Sequence, residues 1–302
     1  MSTIEDRPVP RPIPPRTAVD ASARFSWQRR FDPMPMLALP AMLALSLAFG
    51  LPLLMLLLTS VRGPEGFTLA SYVAFFRDPF HVHVLWNSIK IAVLATGICL
   101  VLGYPAAFAL ARCPAWLQLM LLAGLFLPLT VSVIVKTFGW TILLRSNGLV
   151  NRLLLASGII AEPLRLIFTE AGLLIGMVNI FLPFMVLPLF SVVRMIDPSL
   201  TDAAACLGAD PLRRFLRVTL PLSMPGVIAG VALTFSLTVA AYVTPTLLAG
   251  ERYMTISMIV AKAFLFLRNW QLGGTAAALL LVIAVTVVVA SSLLARPLRH
   301  RG

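Results

Sequence analysis

The stretch that decides the fold reads DPSLTDAAACLGADPLRRFLRVTLP at residues 197–221, and it interrupts an otherwise apolar chain. Asp197 and Asp210 can each cap a helix through a carboxylate oxygen, and each precedes a proline, which is favoured at the first helical position. Gly208 can adopt the left-handed conformation that ends a helix, and Pro221 limits the second helix. The pattern predicts a short helix, a tight turn and another short helix.

Both predicted helices are amphipathic. Apolar or small residues recur at the i, i+3, i+4, i+7 spacing of one helical face. In the first helix they are Leu200, Ala203, Ala204 and Leu207, and in the second they are Leu212, Phe215, Leu216 and Thr219. Arg213, Arg214 and Arg217 lie toward another face. Such a pair is suited to docking in a groove of a partner protein. The alternative is a loop that lies on anionic headgroups.

On both sides of this loop, the chain contains stretches without charge that are long enough to cross a membrane. About 20 helical residues are needed to cross the hydrocarbon layer. Six stretches qualify: Leu37–Leu58, Ile91–Leu110, Ala115–Val135, Ala171–Val193, Val218–Gly250 and Asn269–Ala295. In the fifth, Pro221 and Pro225 suggest that the spanning part starts near Gly226. Shorter apolar pieces at 137–144 and 153–161 are typical of interfacial or re-entrant helices. We expect an all-α polytopic membrane protein with six transmembrane helices over residues 37–295.

The composition supports a membrane protein. Hydrophobic residues make up 59% of the 302 residues and charged residues only 12%. A soluble enzyme of this size could not bury so much apolar surface, and a disordered chain would carry more charge. The net charge of +12 is explained by membrane topology and anionic lipid rather than by nucleic acid, because the arginines lie between apolar stretches.

The distribution of basic residues predicts the topology. With both termini in the cytoplasm, the inner segments carry 14 Lys and Arg and the outer segments carry 10. Residues 1–36 are rich in proline and arginine and read as a disordered cytoplasmic tail rather than a cleaved signal. The cytoplasmic loop between the fourth and fifth spans covers about 194–221, and residues 296–302 form a short cytoplasmic tail.

The sequence shows no set of residues for catalysis. No Gly-x-x-x-x-Gly-Lys-Ser/Thr phosphate loop occurs, so a separate chain must bind ATP if ATP drives the protein. Cys99, Cys113 and Cys206 lack the spacing of a disulfide framework or a zinc site, and Cys99 reads as a small buried hydrophobe. His81 and His83 read as part of a plain polar outer loop. We therefore expect no enzyme activity, no metal and no cofactor.

Polar residues in or beside the predicted spans are candidates for a pathway across the membrane, since a polar group in lipid is costly. The candidates are Trp140, Glu170, Asn179, Thr238 and Tyr242. Trp140 can stack on a cation, and Thr238 and Tyr242 are four residues apart on one helical face. The alternatives are an interfacial position for Trp140, an ion pair of Glu170 with Arg165, and hydroxyls that bond to their own helix.

Glycines recur at four-residue spacing in two of the predicted spans. Gly172 and Gly176 lie in the fourth span, and Gly226 and Gly230 lie in the fifth. This spacing favours close helix contact within the fold or with a second subunit.

The loop resembles the inner-loop motif of binding-protein-dependent ATP-binding cassette (ABC) import permeases. That motif is Glu-Ala-Ala, three residues, Gly, nine residues, then Ile-x-Leu-Pro. Here Asp202-Ala203-Ala204 precedes Gly208, and nine residues later Val218-Thr219-Leu220-Pro221 follows. Asp replaces the first Glu, and Val replaces Ile.

Further stretches are similar to spermidine/putrescine-type permeases. They are 136–151, 168–171, 176–178, 182–184, 187–189 and 197–200. The resemblance runs from about residue 37 to the end of the chain. It implies the type I ABC importer permease fold, in a bacterial inner membrane.

The resemblance also implies partners and roles. The motif residues Asp202, Ala203, Ala204, Gly208, Leu220 and Pro221 would belong to a coupling loop that sits on an ATP-hydrolysing subunit. That subunit would be present in two copies. A second, different permease chain would complete the pathway, and an extracytoplasmic binding protein would deliver the solute. The solute implied is a polyamine. A ferric ion, an opine or an amino-acid derivative stays open, and so does a free-standing secondary transporter or channel.

Overall fold

The computed structural model describes residues 34–63 and 66–299, which fall into two units divided between Leu54 and Met55. The first unit is the N-terminal part of helix α1 (Met34–Val61), which contains the first predicted span. Residues 1–33 of the predicted N-terminal tail and 300–302 of the predicted C-terminal tail lie outside the described residues.

The second unit is almost entirely helical. Two-residue strands β1 (Arg62–Gly63) and β2 (Gly66–Phe67) pair antiparallel just after α1. The helices that follow are α2 (Ala70–Arg77), α3 (Pro79–Arg112), α4 (Ala115–Thr130), α5 (Val133–Leu143), α6 (Leu149–Ala156), α7 (Glu170–Arg194), α8 (Pro198–Cys206), α9 (Pro211–Arg214), α10 (Leu220–Ala240), α11 (Val243–Leu248), α12 (Ile256–Leu265) and α13 (Trp270–Arg299). A π-helical turn (Phe215–Thr219) joins α9 to α10, and a 3₁₀ turn (Gly250–Tyr253) follows α11.

Five helical segments of the described chain are long and apolar enough to cross a membrane, and a bent pair raises the number to six. The five are Leu39–Val61, Pro79–Arg112, Glu170–Arg194, Pro211–Ala240 and Trp270–Leu294. The all-α polytopic fold is therefore confirmed.

The sixth candidate is not the straight span expected at Ala115–Val135. Helix α4 ends at Thr130, and α5 begins at Val133 after a bend of 99°. Pro128 removes a backbone donor from the last turn of α4, and Val131 and Ser132 are extended, with ψ of 136°. β-Branched residues on both sides of the break favour this extended backbone.

Helix α3 begins well before the predicted span Ile91–Leu110. Asp78 caps it by accepting a hydrogen bond from the Phe80 backbone N–H at 2.9 Å, and Pro79 occupies the first turn. The helix has 34 residues, which corresponds to about 51 Å. The outer loop predicted around His81 and His83 is therefore wrong, because both residues lie in the first turns of α3.

The last two spans also differ at their ends. Helix α10 ends at Ala240 rather than near Gly250, because Ala241 is extended with ψ of 129°. The chain then starts again as the short helix α11. Helix α13 begins one residue after the predicted Asn269, whose side chain accepts a hydrogen bond from the Leu272 N–H.

The core of the second unit consists of α3, α7 and α10. Helices α3 and α7 run parallel, since Lys90 contacts Glu170 near their starts and Arg112 and Arg194 line one cleft at their ends. Helix α10 runs antiparallel to α7. The face of α3 toward α7 carries small buried residues, namely Ala95, Cys99, Gly103 and Ala107, whereas Ala92 packs against α10. Small residues let two helix backbones approach closely. The expectation for Cys99 is confirmed, because its side chain is fully buried.

The glycines of α10 face α7. A Cβ on Gly226 would lie 3.0 Å from the Pro188 carbonyl oxygen, and one on Gly230 would lie 2.9 Å from the Met185 Sδ. A Cβ on Gly176 would collide with the Leu248 side chain. These contacts show that the four-residue glycine spacing serves packing within the fold.

Asn151 holds together the segment between α5 and α7. Its side chain is fully buried and donates to the Arg145 carbonyl at 3.0 Å and the Leu164 carbonyl at 2.9 Å. Its Oδ1 accepts a hydrogen bond from the Leu164 N–H at 2.9 Å. One amide thus satisfies three backbone groups that the irregular chain leaves unpaired.

Asn151→Asp is expected to loosen this segment. The substitution keeps the shape but replaces two donated hydrogen bonds with a buried carboxylate facing two carbonyls, which costs about 1–3 kcal/mol or more. Tryptic cleavage after Arg152 or Arg165 should therefore speed up at least about five-fold. Asn147→Asp, at an exposed position of the same segment, is the control. Equal cleavage of both variants would contradict the role of the amide.

Candidate functional site

The first half of the loop after α7 has the predicted geometry. Asp197 caps α8 by accepting a hydrogen bond from the Ser199 N–H at 2.9 Å, which lowers the pKa of this carboxyl. Gly208 has φ of +79°. The N–H of Gly208 donates to the Ala205 carbonyl and that of Ala209 donates to the Ala204 carbonyl. This paired arrangement closes a helix through a left-handed residue, so the predicted helix end at Gly208 is confirmed.

The second half is more continuous than predicted. Asp210 makes no capping hydrogen bond and instead contacts Arg213 at 3.3 Å. Pro221 does not limit the second helix, because α9, the π-helical turn and α10 follow one another without a break. The Leu220 N–H donates to the Phe215 carbonyl five residues back. The wider turn fits a proline that follows it, since a proline ring crowds the preceding turn of an α-helix.

The loop leaves large apolar side chains exposed. Exposed fractions are 79% for Met195, 47% for Leu200, 88% for Leu207, 64% for Leu212 and 49% for Leu216. Asp202 and Ala203 are exposed beside them, and Ala204 is half-buried. The structure brings the motif residues of α8 and the turn into one surface, while Leu220 and Pro221 start the spanning helix α10. A group of exposed apolar side chains on a loop at the end of the bundle is typical of a docking surface.

Tyr104 ties this loop to the core, and the sequence analysis missed it. Its hydroxyl lies 2.7 Å from the Ser223 Oγ, and its ring packs edge-on against Phe215 with centroids 5.5 Å apart. The Ser223 Oγ donates to the Leu220 carbonyl, so the Tyr104 hydroxyl is the donor between the two side chains. A tyrosine inside an apolar span needs such a partner, and this requirement was the available signal.

Two of the candidate pathway residues are joined. The Trp140 Nε1 donates to the Asn179 Oδ1 at 3.0 Å, so the structure brings α5 and α7 together at this point. Most of α7 is buried, but Asn179 lies on an exposed stripe with Ala171 and Ile175. A polar side chain on the exposed side of a spanning helix is typical of a residue that faces water or a partner rather than lipid.

Glu170 has a different partner from the one considered. Its Oε2 lies 2.7 Å from the Lys90 Nζ, and both side chains are partly exposed, so the pairing with Arg165 is wrong. Along α7, Glu170 and Asn179 are nine residues apart and point to opposite sides of the helix. The two polar groups therefore do not share one face.

Thr238 and Tyr242 do not share a helical face. Helix α10 ends between them, and Tyr242 precedes α11. The Thr238 side chain is 3% exposed and donates to the Thr234 carbonyl at 2.7 Å, which is the alternative considered for these hydroxyls. Tyr242 is 38% exposed.

His81 lies in a polar corner at the start of α3. Its ring stacks on Phe75 with centroids 4.9 Å apart, and its Nδ1 lies 3.0 Å from the Asp78 Oδ2. Within the described residues, no group of three or more His, Cys, Asp or Glu side chains has the geometry to hold a metal ion.

The structure is thus a bundle of apolar spanning helices with an amphipathic helical loop at one end (residues 195–219, called the docking loop below), as expected of a polytopic membrane protein. Residues 103–296 match the family of inner membrane components of binding-protein-dependent transport systems, and the chain belongs to this family. It is therefore a permease subunit and a multi-pass inner membrane protein.

Similar proteins agree with this assignment. The chain is 37% identical over 211 residues to the spermidine/putrescine transport system permease protein PotB of Escherichia coli strain K12, covering 70% of this chain and 76% of that protein. It is 35% identical over 210 residues to PotB of Haemophilus influenzae, covering 70% and 73%. A bacterial ABC transporter structure involved in the import of the acidic polysaccharide alginate matches with a TM-score of 0.70 at 16% identity, covering 93% of this chain and 99% of that one. The structural match confirms the ABC permease fold.

Proposed function

We propose that this chain forms, with a second and different permease chain, the pathway by which an ABC importer takes up a polyamine such as spermidine or putrescine. The observation that carries the substrate class is the identity of 35–37% over about 70% of the chain to permeases named for these two amines. An extracytoplasmic binding protein delivers the solute.

The docking loop supports the proposal that a separate subunit hydrolyses ATP. The chain has no phosphate-binding loop of its own. Its apolar loop residues are exposed, and the Tyr104 contacts join the loop to α3. A displacement of the loop at Phe215 would therefore be transmitted through Tyr104 to α3. Each permease chain offers one such loop, so two ATPase subunits serve the permease pair.

The helix directions support a cytoplasmic C-terminus. A Cβ on Gly274, near the start of α13, would lie 3.0 Å from the Ser60 backbone N, and Leu272 lines one cavity with His81 at the start of α3. Helix α13 therefore starts at the end of the bundle opposite to the docking loop and runs toward the loop's side. With the loop against a cytoplasmic ATPase, the C-terminus is cytoplasmic, and the arginine distribution places the N-terminus there too.

Candidate solute contacts lie in the half of the bundle opposite to the docking loop. Trp140 and Asn179 offer an aromatic face and an amide on the exposed stripe of α7. Glu170, at the start of α7, points away from the Asn179 stripe, so it would meet the solute at a different point of the pathway, where a primary ammonium of the solute would compete with Lys90 for its carboxylate. Tyr242 adds an exposed phenol. Our proposal leaves out Thr238 because its side chain is buried and bonded to its own helix.

The proposal is tested by uptake into vesicles that contain the complete complex. We expect spermidine uptake that requires ATP, the ATPase subunit and the binding protein, and that putrescine inhibits. Uptake without ATP or without partners would overturn the ABC mechanism. ATP-dependent uptake that only a ferric complex, an opine or an amino acid inhibits would overturn the polyamine substrate.

Trp140→Phe is expected to lower the uptake rate about five-fold at low solute concentration, because it keeps an aromatic ring but removes the indole N–H and its hydrogen bond to Asn179, worth about 1 kcal/mol. Trp116→Phe is the matched control, since Trp116 is 65% exposed on α4 and lacks a side-chain hydrogen bond in the described structure. The same loss in both variants would contradict a specific role of Trp140 in the pathway.

A further inference from the structure

A small cleft opens where α3 and α7 end and the docking loop begins. Its volume is about 110 Å³. The lining residues are Phe108, Ala111, Arg112, Val193, Arg194, Ile196, Pro198 and Thr219. Two arginines from different helices thus meet at one concavity whose remaining walls are mainly apolar.

The two guanidinium groups are held in position. The Arg112 Cζ lies 4.4 Å from the centroid of the Phe108 ring, and the Arg194 Cζ lies 6.0 Å from that of the Phe190 ring. Each arginine therefore rests against an aromatic ring one turn earlier in its own helix. This contact restricts the side chain before any ligand arrives, so less rotational freedom is lost on binding.

Both charges lack an acidic partner in the part of the chain that the structure describes. The four ion pairs found there involve Asp78, Lys90, Arg213 and Lys262 with their partners, and neither Arg112 nor Arg194 takes part. Each arginine lies in the last turn of its helix, where the helix dipole favours a cation. The helix dipole stabilises the positive charge of each guanidinium. It does not occupy the N–H donors, which can therefore bind an anion.

The position of the cleft points to lipid. Arg112 and Arg194 directly follow the charge-free stretches 91–111 and 171–193, each long enough to cross the hydrocarbon layer, so we expect their side chains at the level of the headgroups. Trp116, in the first turn of α4 and four residues after Arg112 in the chain, is 65% exposed, as is typical of tryptophan at the membrane interface. We therefore expect the cleft to open at the depth of the lipid phosphates.

We propose that Arg112 and Arg194 form a binding site for the phosphate group of an anionic phospholipid. A guanidinium donates two parallel N–H bonds to phosphate oxygens, and two guanidiniums from separate helices can bind one phosphate together. The apolar walls at Val193 and Ile196 accommodate the adjoining glycerol carbons. Because Ile196 and Pro198 begin the docking loop, a lipid bound here ties the ends of α3 and α7 to that loop. The site does not depend on which solute is transported.

The test uses the complete complex in detergent. Phosphatidylglycerol, phosphatidylcholine or inorganic phosphate is added, and the thermal unfolding midpoint and the retained lipid are measured, the latter by native mass spectrometry. We expect phosphatidylglycerol to be retained by the unmodified complex. Arg112→Gln combined with Arg194→Gln should weaken retention at least about ten-fold, because several charge-assisted hydrogen bonds are lost. Arg112→Lys combined with Arg194→Lys should weaken lipid retention less, because the charges remain but lysine lacks the paired N–H donors of a guanidinium.

Arg145→Gln combined with Arg152→Gln is the matched control, because it removes two exposed charges at the opposite end of the bundle. Equal retention by the Gln pair and the unmodified complex would overturn the site, and so would an equal loss in the control. Stabilisation by inorganic phosphate as strong as that by phosphatidylglycerol would overturn lipid as the occupant. Loss of the ATPase subunit from the Gln pair, with lipid retention unchanged, would overturn the proposal in favour of a protein contact.

Discussion

Gly208→Val is expected to reduce ATP-driven uptake to background while the chain still inserts in the membrane. Gly208 has φ of +79°, a conformation that costs an ordinary residue about 1–2 kcal/mol and a β-branched residue more. Valine therefore opens the end of α8 and reorients the exposed Leu207. In the proposed complex this displaces the surface on which the ATPase subunit docks.

The chain itself would tolerate the added atoms. A Cβ at Gly208 would meet no heavy atom within 4 Å, so the loss arises from the backbone turn and the partner surface rather than from packing inside the permease. Gly208→Asn is the matched control, because asparagine adopts the left-handed conformation more readily than other residues with a side chain. It should keep most of the uptake.

The measurement follows uptake, solute-stimulated ATP hydrolysis and co-purification of the ATPase subunit. Uptake by the valine variant equal to that of the unmodified protein would remove the role assigned to the turn. Uptake lost equally in the asparagine variant would show that the added side chain, and not the backbone conformation, prevents the ATPase subunit from docking.

Gly226→Val combined with Gly230→Val is expected to prevent formation of a stable bundle. A Cβ on Gly226 would lie 3.0 Å from the Pro188 carbonyl oxygen and 3.2 Å from the Leu189 Cα, and backbone atoms cannot rotate away. A Cβ on Gly230 would lie 3.1 Å from the Met185 carbonyl oxygen. Forcing extra atoms into packed contacts costs about 1–3 kcal/mol at each site. Here α10 must separate from α7.

The yield of monodisperse protein and its thermal unfolding midpoint in detergent measure this effect. Gly97→Val combined with Gly124→Val is the control, because a Cβ on either residue, in the apolar helices α3 and α4, would have open space around it. We expect normal yield for the control and a large loss for the α10 pair. Similar yields for both pairs would contradict the packing role of the α10 glycines.

The features that the sequence predicted correctly depend on neighbours within a few residues. The Asp197 cap, the helix end at Gly208 and the apolar spans each follow from a local pattern of side chains. The inner-loop motif with Asp202 and Gly208 is also local, and it led to the permease family to which the chain belongs. The matching family region covers 103–296, which includes the whole loop.

The wrong predictions of helix bounds and breaks came from two sources. Hydropathy alone does not show where an apolar helix bends or how far it continues into a polar flank. The break at Val131–Ser132 and the start of α3 at Pro79 were therefore missed. Pro221 was predicted to limit the second helix, because a proline ring clashes with the preceding turn of a regular α-helix. A π-helical turn before Pro221 removes that clash.

By itself, the sequence determined that this is an all-helical membrane protein with a helix–turn–helix loop. The hydropathy that marks a span lies within that span, and a helix cap depends on a few neighbouring residues, so both can be recognised without the fold. Only the tertiary structure decided which distant side chains meet: Lys90 with Glu170, Tyr104 with Ser223, and Arg112 with Arg194 at one cleft. These partners are about 80 to 120 residues apart. Their contacts depend on the rotation and direction of whole helices, which are set by how the buried faces of α3, α7 and α10 fit together.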